Sequence, residues 1–440
     1  MAKLSSIAYY VTDKISSNDI SLAEYVTTDC ILQNKKGREV ATNLPPQPCS
    51  LIRYQRGDVL IANIRPYLKK VWFADIDGGA SPDVLVFRAK DGHSPSFLYA
   101  ILLQDSFFDY VMQGTKGSKM PRGDKEQILR YEMPTFSCSE ESIGTFFLNL
   151  DRKIHLNERI NQNLEAMAKQ LYDYWFVQFD FPNEDGKPYK SSGGEMIWNE
   201  SLKREIPKGW ITTTINGVCT SCRGVSYGKD DLLPNGNGVL VLRGNNIENN
   251  HIVYDSNVAF VPYDFINEEQ RIKEGDIVMT MSSGSKAHVG KCAMFYKDSE
   301  HTFGAFLSKF TPKTEMRYMI FLFLTSEYFK SLITAFCNGT GINNLTNQTF
   351  DDVILVLPNE NTLQQFESKV KPLFDIIGNN EENIEILTKQ RNELLPLLMN
   401  GQVSINSDLS VCIDLIIRTT TRICSYPNDL FWSYLRIVFL

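Results

Sequence analysis

Residues 143–175 read IGTFFLNLDRKIHLNERINQNLEAMAKQLYDYW and carry the clearest pattern in this chain. Their apolar positions alternate in steps of four and three, the spacing that marks one edge of a coiled coil. The same spacing returns 223 residues later, between Phe366 and Leu398, and the polar interruption at Asn157 falls on Asn380. A repeat of this length predicts two domains, each followed by its own long helix.

The segments that precede the two helices also follow one order. Each has a strand after a Gly-Asp pair, then an amphipathic helix, a polar loop and a strand that ends in proline. The matching pairs are residues 58–62 and 275–279, 95–112 and 318–336, 114–123 and 339–346, and 133–134 and 357–358. Their offsets differ by a few residues, as expected when loops are inserted into a duplicated domain.

These patterns predict an α+β fold with an internal pseudo-two-fold repeat. We expect mixed α/β domains at residues 1–138 and 209–359, and long helices at residues 139–181 and 360–404. Residues 182–208, rich in Gly, Ser, Pro and Lys, are predicted to be a linker. Residues 405–440 have no repeat partner and are predicted to be an atypical C-terminal extension.

The composition is that of an ordinary globular protein, with 43% hydrophobic and 22% charged residues in a chain of 440. Nine scattered cysteines and a start without an apolar signal region predict a reducing, cytoplasmic location. Cys219 and Cys222 form a single C-x-x-C pair, so plain thiols are a better interpretation than a metal site. The formal net charge of −7 argues weakly against nucleic acid, although such an average can hide local basic stripes.

The sequence holds no convincing catalytic pattern. Residues 43–46, NLPP, differ from the N-P-P-aromatic loop of adenine methyltransferases, because a leucine intervenes and no aromatic residue follows. Glycine-rich nucleotide loops are missing, and the five histidines include no helical pair of the kind that zinc hydrolases use. We therefore expect no metal, no cofactor and no catalytic residue in this chain.

Local charge differs from the average. In the first domain, cations lie in loops beside Gly and Ser, whose backbone amides can approach phosphate. In the second domain, Arg, Asn and Ser occupy the matching loops, and Arg and Asn can pair with base edges. Solvated loops are the plain alternative, but two clusters at matching places favour duplex DNA. The candidate DNA-binding residues are Arg65, Lys69, Lys70, Lys116, Ser118, Lys119, Arg122, Arg243, Asn245, Asn246, Ser283, Ser285, Lys286, Lys291, Asn343, Asn344 and Thr346.

Together these features resemble the specificity subunit of type I restriction-modification systems, over most of residues 1–404. The resemblance rests on residues 114–125 (GTKGSKMPRGDK), 150–154 (LDRKI) leading through Asn157 to 171–172 and 175–176, and 394–401 (LLPLLMNG). Each piece alone is weak, whereas their order and duplication are specific. Residues 406–440 depart from the family pattern, because such chains usually stop soon after the second helix.

The resemblance implies two target-recognition domains, each reading one half of a split DNA site, with two long antiparallel helices as a coiled-coil spacer. It implies a chain that is not catalytic by itself. Modification subunits that bind S-adenosylmethionine and methylate adenine dock on the helical region, and restriction subunits supply cleavage with ATP and Mg²⁺. The candidate docking residues are Leu171, Trp175, Phe176, Leu394 and Leu398, although the aromatic residues around Trp175 also fit an apolar core.

Two other functions remain open at this point. A single-chain restriction or modification enzyme would need an active site of its own. A scaffold protein would use the helical pair to assemble partners without DNA.

Overall fold

The computed structural model describes residues 2–399, apart from residues 116, 118, 134–138, 235, 255–257 and 339–343. The predicted extension at 405–440 and the proline that ends the strand at 133–134 lie outside the described residues. The chain divides into two compact units, Met1–Glu158 with Glu382–Leu440, and Arg159–Glu381.

Long runs of strands come before the helices in each unit. The strands are β1 (Ala2–Lys3), β2 (Ala8–Tyr10), β3 (Lys14–Ser16), β4 (Tyr25–Val26), β5 (Ser50–Tyr54), β6 (Val59–Ala62), β7 (Val71–Phe73), β8 (Gly78–Ala80), β9 (Val84–Ala89), β10 (Glu132–Met133), β11 (Met196–Asn199), β12 (Arg204–Pro207), β13 (Ile211–Thr214), β14 (Cys219–Arg223), β15 (Val239–Leu242), β16 (Ile247–Glu248), β17 (His251–Ile252), β18 (Ala259–Val261), β19 (Ile277–Thr280), β20 (Cys292–Met294), β21 (Thr302–Phe303), β22 (Leu307–Pro312) and β23 (Ile354–Leu357). The helices are α1 (Leu4–Ile7), α2 (Pro95–Leu102), α3 (Asp105–Gln113), α4 (Lys125–Ile128), α5 (Glu140–Tyr172), α6 (Ile215–Val218), α7 (Arg317–Leu324), α8 (Glu327–Asn338) and α9 (Glu360–Met399). The predicted α+β class is confirmed.

In the first unit, the core is built on an antiparallel sheet in the order β2–β9–β6–β7. Helix α2 is buried along its length against this sheet. Phe147 and Leu150 from α5 and Leu398 from α9 belong to the same apolar cluster. The apolar side of each long helix is therefore buried in a sheet domain, where each Å² of apolar area removed from water contributes about 25 cal/mol.

The second unit repeats the main sheet, in the order β14–β22–β19–β20. Numbered along the chain, both sheets follow the order first, fourth, second, third, and all pairs are antiparallel. Trp175 and Phe176 follow α5 and pack on Phe366 of α9, with ring centroids 5.6 and 4.7 Å away. Within this unit the two long helices run in opposite directions, because Asn161 lies beside Asn380 whereas Tyr172 lies beside Phe366.

The structure divides each predicted amphipathic helix into two. Residues 95–112 form α2 and α3, which break at Gln104, where the backbone is extended. Residues 318–336 form α7 and α8, which break at Ser326, whose hydroxyl accepts a hydrogen bond from the Phe329 amide at 3.2 Å. A short polar side chain that caps the next helix favours such a break. The apolar spacing continues across both breaks, and for this reason the sequence pattern did not reveal them.

The predicted linker at residues 182–208 contains a hairpin. Strands β11 and β12 pair antiparallel, from Met196 opposite Pro207 to Asn199 opposite Arg204. Ile206 is buried in the core of the second unit. The linker prediction is therefore wrong, because the turn-forming residues of this segment connect strands that belong to the domain.

A buried ion pair connects α5 with α9 inside the first unit. The Arg391 Nη1 atom lies 2.7 Å from Asp151 Oδ1, and each side chain is only 6% exposed. The Tyr99 hydroxyl donates to Asp151 Oδ2 at 2.6 Å. Burial and then the charge of Asp151 raise the pKa of Tyr99 well above its usual value, so this hydroxyl keeps its proton and remains a donor.

No single helix in the described part of the chain is both long and apolar enough to cross a membrane. A pair bent by 65°, Thr314–Leu324 with Glu327–Cys337, passes by length and composition only. Residues of both members, such as Ile320 and Phe329, belong to the apolar core of the second unit.

We predict that Arg391→Met destabilises the first unit by about 3–5 kcal/mol, because it leaves the Asp151 carboxylate buried without its counter-charge. The free energy of unfolding in urea measures the change. The matched control is Lys371→Met, which breaks an exposed pair with Asp375 on α9 and should cost less than about 1 kcal/mol. The double substitution Asp151→Leu with Arg391→Met should recover most of the loss, and equal losses in Arg391→Met and Lys371→Met would contradict the assignment.

Candidate nucleic-acid interface

In the first unit, three loops meet at one end of the main sheet. They follow β6, precede β9 and precede α4. The Asn63 amide donates to the Asp83 carbonyl at 2.9 Å, and the Arg65 amide donates to the Pro121 carbonyl at 2.8 Å. The Arg122 guanidinium lies 3.2 Å from Asp83 Oδ1. We call this group of loops, residues 63–70, 81–83 and 119–123, the first loop cluster.

Part of the predicted basic surface is exposed in the first loop cluster. Arg65 and Lys119 are exposed, and the Arg122 side chain is 56% exposed although it pairs with Asp83. Arg65 has a left-handed backbone, with φ at +53°, and begins the short turn Pro66–Leu68. The loop backbone is therefore held in place by the hydrogen bond to Pro121 while the cation remains in contact with water.

Two predicted cations of this cluster are used inside the domain. The Lys69 ammonium lies 3.0 Å from Asp105 Oδ1, and the Lys70 ammonium donates to the Thr28 carbonyl at 2.6 Å. Burial lowers the pKa of Lys70. Lys69 and Lys70 therefore mainly connect loops within the domain. Fewer cations are left to contact phosphate than the sequence predicts. Lys116 and Ser118 lie outside the described residues.

The second unit brings the corresponding loops together at the same end of its main sheet. The Ser282 amide donates to the Phe306 carbonyl at 3.2 Å, and the Leu345 amide donates to the Met281 carbonyl at 2.8 Å. The Gly304 amide donates to the Leu242 carbonyl at 2.9 Å. This hydrogen bond connects the loop before β22 with the loop after β15. We call residues 242–246, 281–291, 304–306 and 344–346 the second loop cluster.

The second loop cluster exposes polar side chains more than charged ones. Ser285, Lys286, Asn245, Asn344 and Thr346 are exposed, and Ser283 is half-buried. The Lys291 ammonium lies 3.2 Å from His288 Nδ1. Asn343 lies outside the described residues.

Arg243 and Asn246 differ in how much of each side chain is free to contact DNA. The Arg243 Nε atom donates to the Tyr227 hydroxyl at 3.0 Å, and the side chain is half-buried. The Asn246 side chain is fully buried, accepts from the Arg243 amide at 2.9 Å and donates to the Val253 carbonyl at 2.8 Å. Asn246 is therefore a structural residue of its turn and cannot reach a base, so this part of the sequence prediction is wrong.

Three of the five predicted docking residues are core residues. Trp175 and Phe176 are only 2% and 3% exposed in the second unit, and Leu398 is only 4% exposed in the first. Leu171 and Leu394 are partly buried and pack against those same two cores. The prediction of a docking surface is wrong for Trp175, Phe176 and Leu398, because packing within each unit buries them. At Leu171 and Leu394, which are only partly buried, it stays a prediction.

The sequence analysis missed a partly buried charged group in the second unit. His251 Nε2 lies 2.9 Å from Glu165 on α5, and its Nδ1 lies 3.2 Å from Glu381 on α9. Asn161 donates to Glu381 at 2.8 Å and accepts from Asn380 at 2.8 Å. The hairpin of β16 and β17 that carries His251 is thereby fastened to both long helices.

The two carboxylates determine the charge of His251. Burial by itself lowers the pKa of this imidazole, but the hydrogen bonds and charges of Glu165 and Glu381 outweigh burial and raise the pKa from 6.5 to about 10. The imidazole is therefore cationic at neutral pH. A lone histidine in a short strand carries no sequence signal for such partners, because Glu165 and Glu381 lie far away in the chain.

Within the described residues, no group of three or more His, Cys, Asp or Glu side chains could hold a metal ion. Cys219 and Cys222 are both free thiols. Burial raises the pKa of Cys219 to about 12, so its thiol stays protonated.

Comparison with known proteins gives one consistent family. Residues 207–394 match the family model described as the type I restriction modification DNA specificity domain. The chain is 25% identical over 404 residues to the specificity subunit of the type I restriction enzyme MjaIX of Methanocaldococcus jannaschii, covering 89% of this chain and 86% of that protein. It is 31% identical over 214 residues to the EcoKI specificity subunit of Escherichia coli, covering 46% of this chain and 44% of that one.

A solved structure shares the fold. The S subunit of a type I restriction-modification system from M. genitalium superimposes with a TM-score of 0.52 at 13% identity, over 90% of this chain and 95% of that one.

We predict that His251 makes the second unit less stable as pH rises. Because the folded-state pKa is raised, the stabilisation is complete below about pH 6.5 and is lost as the pH approaches about 10. One extra bound proton corresponds to a slope of about 1.4 kcal/mol per pH unit in that window. The difference in unfolding free energy between the natural chain and His251→Gln measures it, since other titrating groups are common to both. If the difference in unfolding free energy between the two chains stays the same from pH 6.5 to 10, His251 is not held as a cation by Glu165 and Glu381.

Proposed function

We infer that this chain, which belongs to the specificity subunits of type I restriction-modification systems, recognises a DNA sequence for its complex. One observation carries the inference. Each unit gathers its polar and cationic loops at the same end of a sheet with the same strand order. Two such faces in one chain are suited to a DNA site with two separate halves.

The first loop cluster is proposed to provide most of the phosphate contacts. Arg65, Lys119 and Arg122 are the exposed cations there. Cations at a protein surface bind the DNA backbone by releasing its counterions, and they position the duplex without reading its sequence. The net charge of −7 does not oppose this role, because three exposed cations lie together in this loop cluster.

The second loop cluster is proposed to rely more on polar contacts. Ser285, Asn344 and Thr346 are exposed next to Lys286. Amide and hydroxyl groups can donate to and accept from base edges in the major groove. The two faces therefore differ in chemistry, which favours two different half-sites.

In this proposal the chemistry belongs to partner subunits. Modification subunits would bind S-adenosylmethionine and methylate adenine, and restriction subunits would use ATP and Mg²⁺ to translocate and cleave DNA. This chain would direct both activities to the site that it reads, in the cytoplasm.

The long helices are proposed to set the number of unread base pairs between the two halves. Helix α5 has 33 residues and α9 has 40, which corresponds to about 50–60 Å at 1.5 Å per residue. One turn of B-DNA spans about 34–36 Å. Two weak readings held at one spacing act as a single strong site, because the second contact becomes intramolecular.

We predict that the double substitution Arg65→Gln with Lys119→Gln weakens DNA binding in a salt-dependent way. For the complex with its modification subunit, the slope of log K against log[salt] should become less steep by about 2, because each lost phosphate contact removes about 0.9. Lys90→Gln is the matched control, since Lys90 follows the opposite end of β9 and donates to the Ser5 carbonyl. Its slope should equal that of the natural chain.

Three outcomes would contradict the proposed function. An unchanged slope in the double variant would remove the first loop cluster from the interface. Methyl transfer by the isolated chain would indicate a single-chain enzyme. Binding of the modification subunit with no preference among DNA sequences would indicate a scaffold.

A further inference from the structure

Phe306 is a large apolar side chain that the second unit leaves in water. It is 71% exposed, whereas the next residue, Leu307, is completely buried. It lies inside the second loop cluster, immediately before β22. Single exposed apolar residues are common on protein surfaces, so the significance of Phe306 lies in its position.

The backbone of Phe306 is held from three sides. Its carbonyl accepts hydrogen bonds from the amides of Met281 at 2.9 Å and Ser282 at 3.2 Å. The neighbouring Ala305 amide donates to the Val225 carbonyl at 2.9 Å, and the Leu307 amide donates to the Gly304 carbonyl at 2.8 Å. The ring therefore projects from a fixed point, which lowers the entropy cost of a contact made there.

The surroundings of Phe306 are those of a polar binding face. Ser282, to which it is hydrogen-bonded, forms a bridge with Asn344. Ser283 follows in the same loop, and Gly304 connects to the β15 end that continues into Arg243. An exposed aromatic ring on a face that carries hydroxyl and amide groups matches a nucleic-acid surface better than a contact with another apolar protein.

The first unit has a different residue at the same place. Strand β9 begins at Val84 and corresponds to β22, so the counterpart of Phe306 is Asp83, which pairs with Arg122. The first loop cluster instead exposes Tyr67, at 50%, in the turn Pro66–Leu68. The counterpart of that turn in the second unit, Lys286–His288, has Ala287 at its centre. Each face thus carries one exposed aromatic ring, at a different position.

We propose that Phe306 is a specificity-determining residue that contacts a DNA base directly in the half-site read by the second unit. The proposal rests on the proposed function. A phenyl ring has no donor for phosphate, so it would touch the methyl group of a thymine or the face of an unstacked base. The different position of Tyr67 would make the first unit prefer another half-site.

The test uses the complex of this chain with its modification subunit and the site that methylome sequencing gives for the natural chain. Affinity is measured for that site and for single-base variants of its two halves. Phe306→Ala should reduce discrimination on the order of tenfold at one or two positions of one half, with the other half and the salt slope unchanged. Replacing each thymine there by deoxyuridine, which lacks the methyl group, separates the two modes of contact.

Tyr263→Ala is the matched control. Tyr263 is 70% exposed but follows β18, which leaves β15 at the end opposite to Arg243. Discrimination should be unchanged in this variant. The proposal for Phe306 alone would be overturned if Phe306→Ala discriminated between bases as well as the natural chain at every position. It would also be overturned if Tyr263→Ala lost as much discrimination as Phe306→Ala. A natural complex without any sequence preference would overturn the proposed function and this inference with it.

Discussion

The structure depends on burying the apolar side of two long helices that no single domain covers. Residues 140–158 of α5 and 382–399 of α9 belong to the first unit, and the remaining parts belong to the second. Each unit therefore completes its core with segments from both helices. The core of the first unit includes Leu398, almost 400 residues from its first strand, and the core of the second unit includes Phe366.

The polar groups at these helix contacts select one arrangement among many. An apolar stripe alone would allow one helix to slide by a heptad along the other, whereas a buried polar pair is satisfied at one register only. The Asp151–Arg391 pair serves this purpose in the first unit. In the second unit Asn161, Asn380 and Glu381 serve it, and His251 extends the network to the sheet domain. These polar networks thus fix the register of the two helices within each unit.

Much of this could be predicted from the sequence, because helix faces and duplicated strands repeat at fixed spacing. The heptad pattern from Ile143 passes through residues that are buried, such as Phe147, Leu150 and Ile154. The pattern did not predict that Asp151 is buried, because this carboxylate can be buried only when it pairs with Arg391, which is distant in the chain. Trp175 and Phe176 have the same sequence signal whether they face a partner or a core. Asn246 and Phe306 show the same limit, because only the folded turn decides which polar side chain is buried and which apolar one is exposed.

In the proposed function, the helix pair sets the distance between the two faces that would read DNA. This role is tested most directly by inserting one heptad into each helix, after Glu158 and after Glu381, where the division between units leaves the contacts within each unit intact. Seven residues add about 10.5 Å, or about three base pairs at 3.4 Å each. Methylome sequencing of cells that make the complex should then give both half-sites unchanged with a longer gap between them. An unchanged gap with both half-sites still read would contradict this role of the helix pair.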